Sequence, residues 1–200
     1  GLATHSDWRI GNHQPTASGA TFSLTTPVGT FSIEYARPGL WDALNLAASA
    51  AAAQALGAPI DRVLDGLRAL ADIPGRFERI NAQQPYSVVV DYAHTPESLE
   101  RVLRLMRQTT PGRLICVFGC GGERDRDKRA RMGKLAAEIA DIVVITDDNP
   151  RHEDPAQIAR QILEGARHGR ADVQWIAPRE AAIEHAGGIA TKSDALLVAG

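Results

Sequence analysis

Cysteine is scarce: Cys116 and Cys120 are the only two in the sequence, too few for a disulfide framework. No second Cys/His pair stands at zinc-ligand spacing, so both are expected at small buried or loop positions and no metal is expected on them. A reducing, cytoplasmic setting is the expectation. No apolar run approaches the ~20 residues of a membrane helix, so no membrane insertion is expected. The opening Gly1-Leu2-Ala3-Thr4-His5-Ser6 shows no initiator Met and no signal-peptide pattern. Basic excess is missing too: 22 Lys and Arg against 24 Asp and Glu leave a net charge of −2, with no positive field for nucleic acid. No Gly-Lys-Thr/Ser phosphate loop occurs, nor any recognisable nucleophile–base pair or triad, so the catalytic residues are unknown. What remains is ordinary for a soluble globular chain, 44% hydrophobic and 23% charged, and 200 residues suit one large domain or two small ones.

Residues 1–40 read as β structure. Thr21–Thr25 and Thr30–Tyr35 alternate apolar and polar side chains around a Thr26-Pro27-Val28-Gly29 turn, which is a hairpin pattern. An Ala-rich helix is expected from about Asp42 to Leu56, closed by Gly57. Its small side chains imply close packing against a sheet that the chain does not contain. A second helix is expected over about Ile60–Leu70, with Val63, Leu64 and Leu67 on one face. Ala71-Asp72-Ile73-Pro74-Gly75 breaks the helical pattern and is the expected domain boundary. Beyond it strands alternate with helices: strand Tyr86–Val90, a helix opened by Thr95 and Pro96, strand Leu114–Phe118, and a helix near Arg129–Ala140. Strand Ile142–Thr146, a helix from Pro155 capped by Asp154, strand Val173–Ile176, a helix near Arg179–Ala186 and strand Ala195–Ala199 follow. That alternation predicts a parallel α/β sheet with right-handed crossovers. The opening lies in loop-like sequence and the last strand stops as it delivers Gly200, so a piece of a longer protein is expected.

In such a sheet, ligands collect in the crevice beyond the carboxyl ends of the strands. Asp91 ends one strand, placed to accept from ribose hydroxyls; simple capping of the next turn is the alternative. Gly119-Cys120-Gly121-Gly122 ends another and allows close backbone approach to an anion. It is not a dinucleotide fingerprint, because Arg124 stands at the third glycine position. The mixed-sign run Glu123–Arg131 reads as a solvated helix start, from which Arg124 is singled out as a ligand group. His94 reads as a structural hydrogen-bonder. Asp148-Asn149-Pro150-Arg151 follows a third strand: Pro150 stiffens the loop, Asn149 can donate and accept, and Arg151 offers a planar fork for a carboxylate or phosphate.

Taken together, Gly75-Arg76-Phe77-Glu78, Asp91-Tyr92-Ala93-His94-Thr95-Pro96, Gly119-Cys120-Gly121-Gly122-Glu123-Arg124-Asp125 and Asp148-Asn149-Pro150-Arg151 resemble the Mur ligases. The resemblance covers essentially the whole chain. It implies that residues 1–75 are the C-terminal part of a P-loop-type α/β ATP-binding domain and residues 76–200 most of a Rossmann-like, amino-acid-binding C-terminal domain. It implies an ATP-dependent amide-forming ligase with ATP and Mg2+, in which an acyl phosphate forms first and an amine then attacks it. Among the family it points to addition of meso-diaminopimelate to UDP-N-acetylmuramoyl-L-alanyl-D-glutamate in peptidoglycan synthesis, by a monomer. By the same resemblance Asn45, Arg76 and Asp91 bind ATP, and Arg124, Asp148, Asn149, Pro150, Arg151 and Gly200 hold the incoming amino acid. The family's phosphate loop and magnesium ligands match nothing in these residues, which suggests a chain inactive alone. Trp41-Asp42 also stands where the family usually has Phe-Asn. Rival readings are a sister ligase adding L-lysine, a folylpolyglutamate-type enzyme, and a non-catalytic α/β nucleotide-binding module. Lysine lacks the distal carboxylate that Arg151 would meet, and an upstream phosphate loop in the parent sequence would exclude the binding module.

Overall fold

A computed structural model describes residues 1–3, 5–16, 19–70 and 73–200, so Ala71 and Asp72 of the expected boundary lie outside the described residues. The chain divides into two compact units, Gly1–Asp72 and Ile73–Gly200.

In the first unit three strands, β1 (Arg9–Pro15), β2 (Ala20–Thr26) and β3 (Gly29–Tyr35), form an antiparallel sheet in that order. β2 and β3 make the expected hairpin, and Phe22 and Leu24 on β2 and Ile33 on β3 turn their side chains into the core. β1 lies within the region read as β but was not singled out as a strand: Ile10 is its one buried apolar residue, and its pairing slips between Gly11 and Gln14. Helix α1 (Leu40–Ala55) buries Ala43, Leu46, Ala47 and Ala50 in the core formed with those strands and with Val63, Leu64 and Leu67 of α2 (Ile60–Arg68). The expectation that α1 packs against a sheet absent from the chain is therefore corrected for this face. The chain's own antiparallel sheet supplies the partner, and the alanines shorten the helix–sheet distance. The other face, with Trp41, Asn45, Ala48, Ala52 and Leu56, is exposed. Gly57 ends the helix at φ +93°, with its N–H on the Gln54 carbonyl and that of Ala58 on the Ala53 carbonyl, a Schellman closure that needs a left-handed residue. Asp42 lies 3.6 Å from the buried Arg37.

The second unit holds a six-stranded sheet. A short edge strand, β4 (Glu78–Ile80), runs antiparallel to β5 (Ser87–Asp91); it has no buried residue and escaped the sequence reading. The other strands are β6 (Leu114–Phe118), β7 (Ile142–Ile145), β8 (Asp172–Trp175) and β9 (Ala195–Ala199), and the spatial order is β4-β5-β9-β6-β7-β8. All pairs but β4–β5 are parallel, as unbroken apolar strands buried on both faces require. Helices α3 (Pro96–Thr109), α4 (Asp127–Ile139) and α5 (Pro155–Ala166) pack in one core through Leu99, Leu103, Met132, Ala136 and Ile162. Helix α6 (Arg179–Ile189) covers the opposite face with Ala182 and Ala186.

The helix starts are built as their sequences suggest. Thr95 and Ser98 form a reciprocal capping box at α3, and Asp154 accepts from the Ala156 N–H at α5, each followed by a first-turn proline. Helices α4 and α5 touch through glycine: a Cβ on Gly165 would stand 2.5 Å from the Ala130 carbonyl carbon and nearer still to its oxygen. Gly133 lies equally close to the Ile162 carbonyl. The strand ends are level: Asp91 pairs with Ala199, Ala199 with Phe118, Phe118 with Ile145, and Ile145 with Trp175. The polar loops after β5, β6 and β7 consequently leave the sheet along one edge.

Candidate functional site

At the β5 end, Asp91 closes the strand and its Oδ2 accepts from the Phe77 N–H at 2.8 Å. Phe77 adopts φ +47°, a left-handed conformation uncommon for an aromatic residue, and this turns the Gly75–Phe77 segment back onto the strand end. The Tyr92 N–H completes the tie by donating to the Gly75 carbonyl at 2.8 Å. The Arg76 guanidinium lies 4.9 Å from the centre of the exposed Tyr92 ring, a cation–π distance. Burial raises the Asp91 carboxyl above the ordinary carboxylate range, while the Phe77 N–H and the Arg76 charge oppose that rise. Arg76 and Asp91, separated by β4 in sequence, are thus neighbours. His94 donates from Nδ1 to the Tyr92 carbonyl at 2.9 Å, and its ring lies 4.7 Å from the Tyr92 ring at a 55° tilt. Gly200 joins this corner through its N–H, which donates to the Asp91 carbonyl at 3.1 Å, and it adopts φ +97°.

The second corner lies where β6 and β7 end. The Gly122 N–H donates to the Asn149 carbonyl at 2.8 Å, and the Arg151 Nη1 donates to the Gly122 carbonyl at 2.6 Å. A Cβ on Gly122 would lie 2.7 Å from the Pro150 carbonyl carbon, so only glycine lets the two loops touch. Arg151 sits at φ +51°, supported by a 3.3 Å contact from its N–H to the Asn149 Oδ1, an Asx-type turn. With Nη1 held by backbone, Nη2 and Nε make no hydrogen bond among the described residues and can meet an incoming acceptor. Asp148 and Asn149 are exposed beside it. Arg124 is also exposed and makes no hydrogen bond or ion pair among the described residues. Asn45 lies on the exposed face of α1 in the first unit.

One part of the mixed-sign run departs from the solvated reading. Arg129 is fully buried and forms a two-pronged pair with Glu153, both contacts at 3.0 Å. Its Nη1 also donates to Gln161 Oε1 at 2.7 Å and its Nη2 to the Gly121 carbonyl at 3.1 Å. The signal was in the helical spacing: Arg129 stands one turn before Met132 and two before Ala136, on the buried stripe of α4. Both cysteines are free and buried, and burial pushes the Cys116 thiol up to about 12 and that of Cys120 to about 11, so neither is a thiolate at neutral pH. Among the described residues, no three His, Cys, Asp or Glu side chains gather to hold a metal ion.

A comparison with protein families matches residues 75–200 to the Mur ligase glutamate ligase domain. The chain belongs to the Mur ligase family. This Mur ligase chain is 41% identical over its full length to a UDP-N-acetylmuramoyl-L-alanyl-D-glutamate–2,6-diaminopimelate ligase of Geobacillus thermodenitrificans, covering 41% of that protein. A solved structure carrying the same enzyme name is 35% identical, with a TM-score of 0.63 over 99% of this chain and 40% of the other. The D-alanyl-D-alanyl-adding ligase of Acinetobacter baumannii, 21% identical, shares the fold with a TM-score of 0.78 over 99% of this chain and 42% of that one. The chain thus spans about 40% of the length of the relatives it matches. No described helix is long and apolar enough to cross a membrane.

Proposed function

We propose that this Mur ligase chain supplies the amino-acid side and part of the nucleotide side of an ATP-dependent ligase. The reaction is addition of meso-diaminopimelate to UDP-N-acetylmuramoyl-L-alanyl-D-glutamate, by a monomer in the cytoplasm. On this reading residues 1–75 are the end of a central ATP-binding domain and residues 76–200 most of the C-terminal domain. The observation that carries it is the β7 loop: Arg151 is held by the Gly122 carbonyl with one edge of its guanidinium left over, beside the Asp148 carboxylate. The distal end of diaminopimelate bears a carboxylate and an ammonium. The Arg151 fork, with Arg124, suits the first; Asp148 and the Asn149 carbonyl group suit the second. Gly200, tied to the β5 end, and Pro150, which stiffens the loop, bound the same edge. L-Lysine would leave the arginine without its acceptor.

The residues at the other corner fit a nucleoside. The Asp91 carboxylate can accept from ribose hydroxyls, and Arg76 brings positive charge beside it. Asn45 is assigned to the adenine by family resemblance. Bound Mg2+ would neutralise phosphate charge, and its ligands are assigned to parts of the ligase beyond these residues.

The deciding assay is phosphate release by the full-length protein with ATP, the UDP-muramoyl dipeptide and either amino acid. Turnover with diaminopimelate and little with lysine is expected; the reverse preference overturns the reading. In the same assay Asp91→Ala should raise the KM for ATP far more than that for diaminopimelate. Because the Asp91 carboxyl is raised and only its ionised form accepts well from a hydroxyl, the KM for ATP should climb as the pH falls. The climb should begin at a higher pH than an ordinary aspartate would give. Equal changes in both KM values would remove Asp91 from the nucleotide site.

A further inference from the structure

We propose that Arg129 and Glu153 are positioning residues that lock the β6 and β7 loops together and so present Arg151 to its ligand preformed. The inference rests on the proposed amino-acid site. The pair touches both loops at once. Arg129 holds the Gly121 carbonyl and both Glu153 oxygens, and Glu153 Oε1 also accepts from the Glu123 N–H at 2.6 Å. Glu153 therefore reaches from the end of the β7 loop to Glu123, and Arg129 holds Gly121, so the pair grips the β6 loop on either side of Gly122. Gly122 is the residue whose carbonyl orients Arg151. Glu123 at φ +53° and Arg151 at φ +51°, one on each loop, both hold left-handed conformations that non-glycine residues rarely keep without outside support. The pair is enclosed, with Arg129 fully buried and the Glu153 side chain 9% exposed, and the two arginine contacts hold the Glu153 carboxyl down at about 2. An arginine fork on a carboxylate fixes direction as well as distance, which a lysine or an amide cannot repeat.

The test uses full-length protein carrying Glu153→Gln, whose amide must turn one donor toward the Arg129 fork. The KM for diaminopimelate should rise about ten-fold, the equivalent of one charged hydrogen bond misplaced. The kcat and the KM for ATP should stay within about two-fold on the same scale. In an Arg151→Ala background the added change should add little, because the two act through one contact. Amide hydrogen exchange should quicken together at residues 121–124 and 148–152 while the strands stay protected. Arg129→Lys, which keeps the charge and loses the fork, should repeat the pattern and serves if Glu153→Gln does not fold. A wild-type protein that ligates diaminopimelate, paired with variants whose KM for it is unchanged or rises only in step with that for ATP, overturns the positioning role alone. Fully additive effects with Arg151→Ala overturn it too. A wild-type protein with no turnover of diaminopimelate overturns the functional reading and this one with it.

Discussion

Arg151→Ala in the full-length protein should cut kcat/KM for diaminopimelate by about thirty-fold to several thousand-fold, since removing one partner of a hydrogen-bonded charge pair costs roughly 2–5 kcal/mol once the closed site excludes water from the now exposed Arg151. The KM for ATP should hardly change, because the proposed nucleotide corner at Asp91 is built from the β5 end and the Gly75–Phe77 segment, not from the β7 loop. Arg151→Lys should rescue poorly. A single ammonium that donates to the Gly122 carbonyl has no second, parallel donor edge for the substrate. Lysine as the amino-acid substrate should lose much less than diaminopimelate, having no distal carboxylate to orphan. Steady-state kinetics with both amino acids decides the matter: parallel losses would mean that Arg151 holds the loop and does not read the ligand.

Gly165→Ala should lower the thermal midpoint by roughly 4–12 °C, the equivalent of about 1–3 kcal/mol of overpacking in a unit of this size. The new methyl group would overlap the Ala130 carbonyl, and carbonyl oxygens on a helix cannot rotate aside as a side chain can. Helices α4 and α5 would have to separate, opening the contact between Met132, Ala136 and Ile162 beneath them. Gly188→Ala is the control. Gly188 also lies in a helix, but nothing stands within 4 Å of where its Cβ would be. That substitution should add about 0.5–1 kcal/mol by reducing the freedom of the unfolded chain. Calorimetric unfolding of both variants checks the pair; equal midpoints would mean that the α4–α5 approach is not as tight as the backbone shows.

The parallel sheet was legible because its signals are redundant. Leu114–Phe118 and Ala195–Ala199 are unbroken apolar runs, and Thr95-Pro96 and Asp154-Pro155, each followed by apolar residues at helical spacing, mark helix starts. β1 and β4 were not legible, because an edge strand needs only backbone pairing and carries almost no buried side chains to leave a pattern. The residues proposed to face ligand drew notice by standing in glycine- and proline-containing loops at strand ends, or by family resemblance. What residue type alone could not reveal was which polar groups are spent inside the protein; for Arg129 only its helical spacing to Met132 and Ala136 carried the signal. Arg124 and Arg129 look alike in the Glu123–Arg131 run, yet one is exposed and the other fully buried on Glu153. Likewise, spacing alone could not show that one arm of Arg151 already belongs to Gly122.

The place of β9 has a consequence for how the second unit is made. Of the six strands described in this sheet it comes last in sequence, yet it sits between β5 and β6 and pairs with both. Until it arrives, β4 with β5 and β6 with β7 and β8 can form only separate half-sheets, each with an open, apolar edge. Pairing Val88 with Leu196 closes more than a hundred residues of chain, so the closing step is slow and late compared with local helix formation. Nascent chains stalled before Ala195 carry two such edges at once, each a template for pairing with another chain.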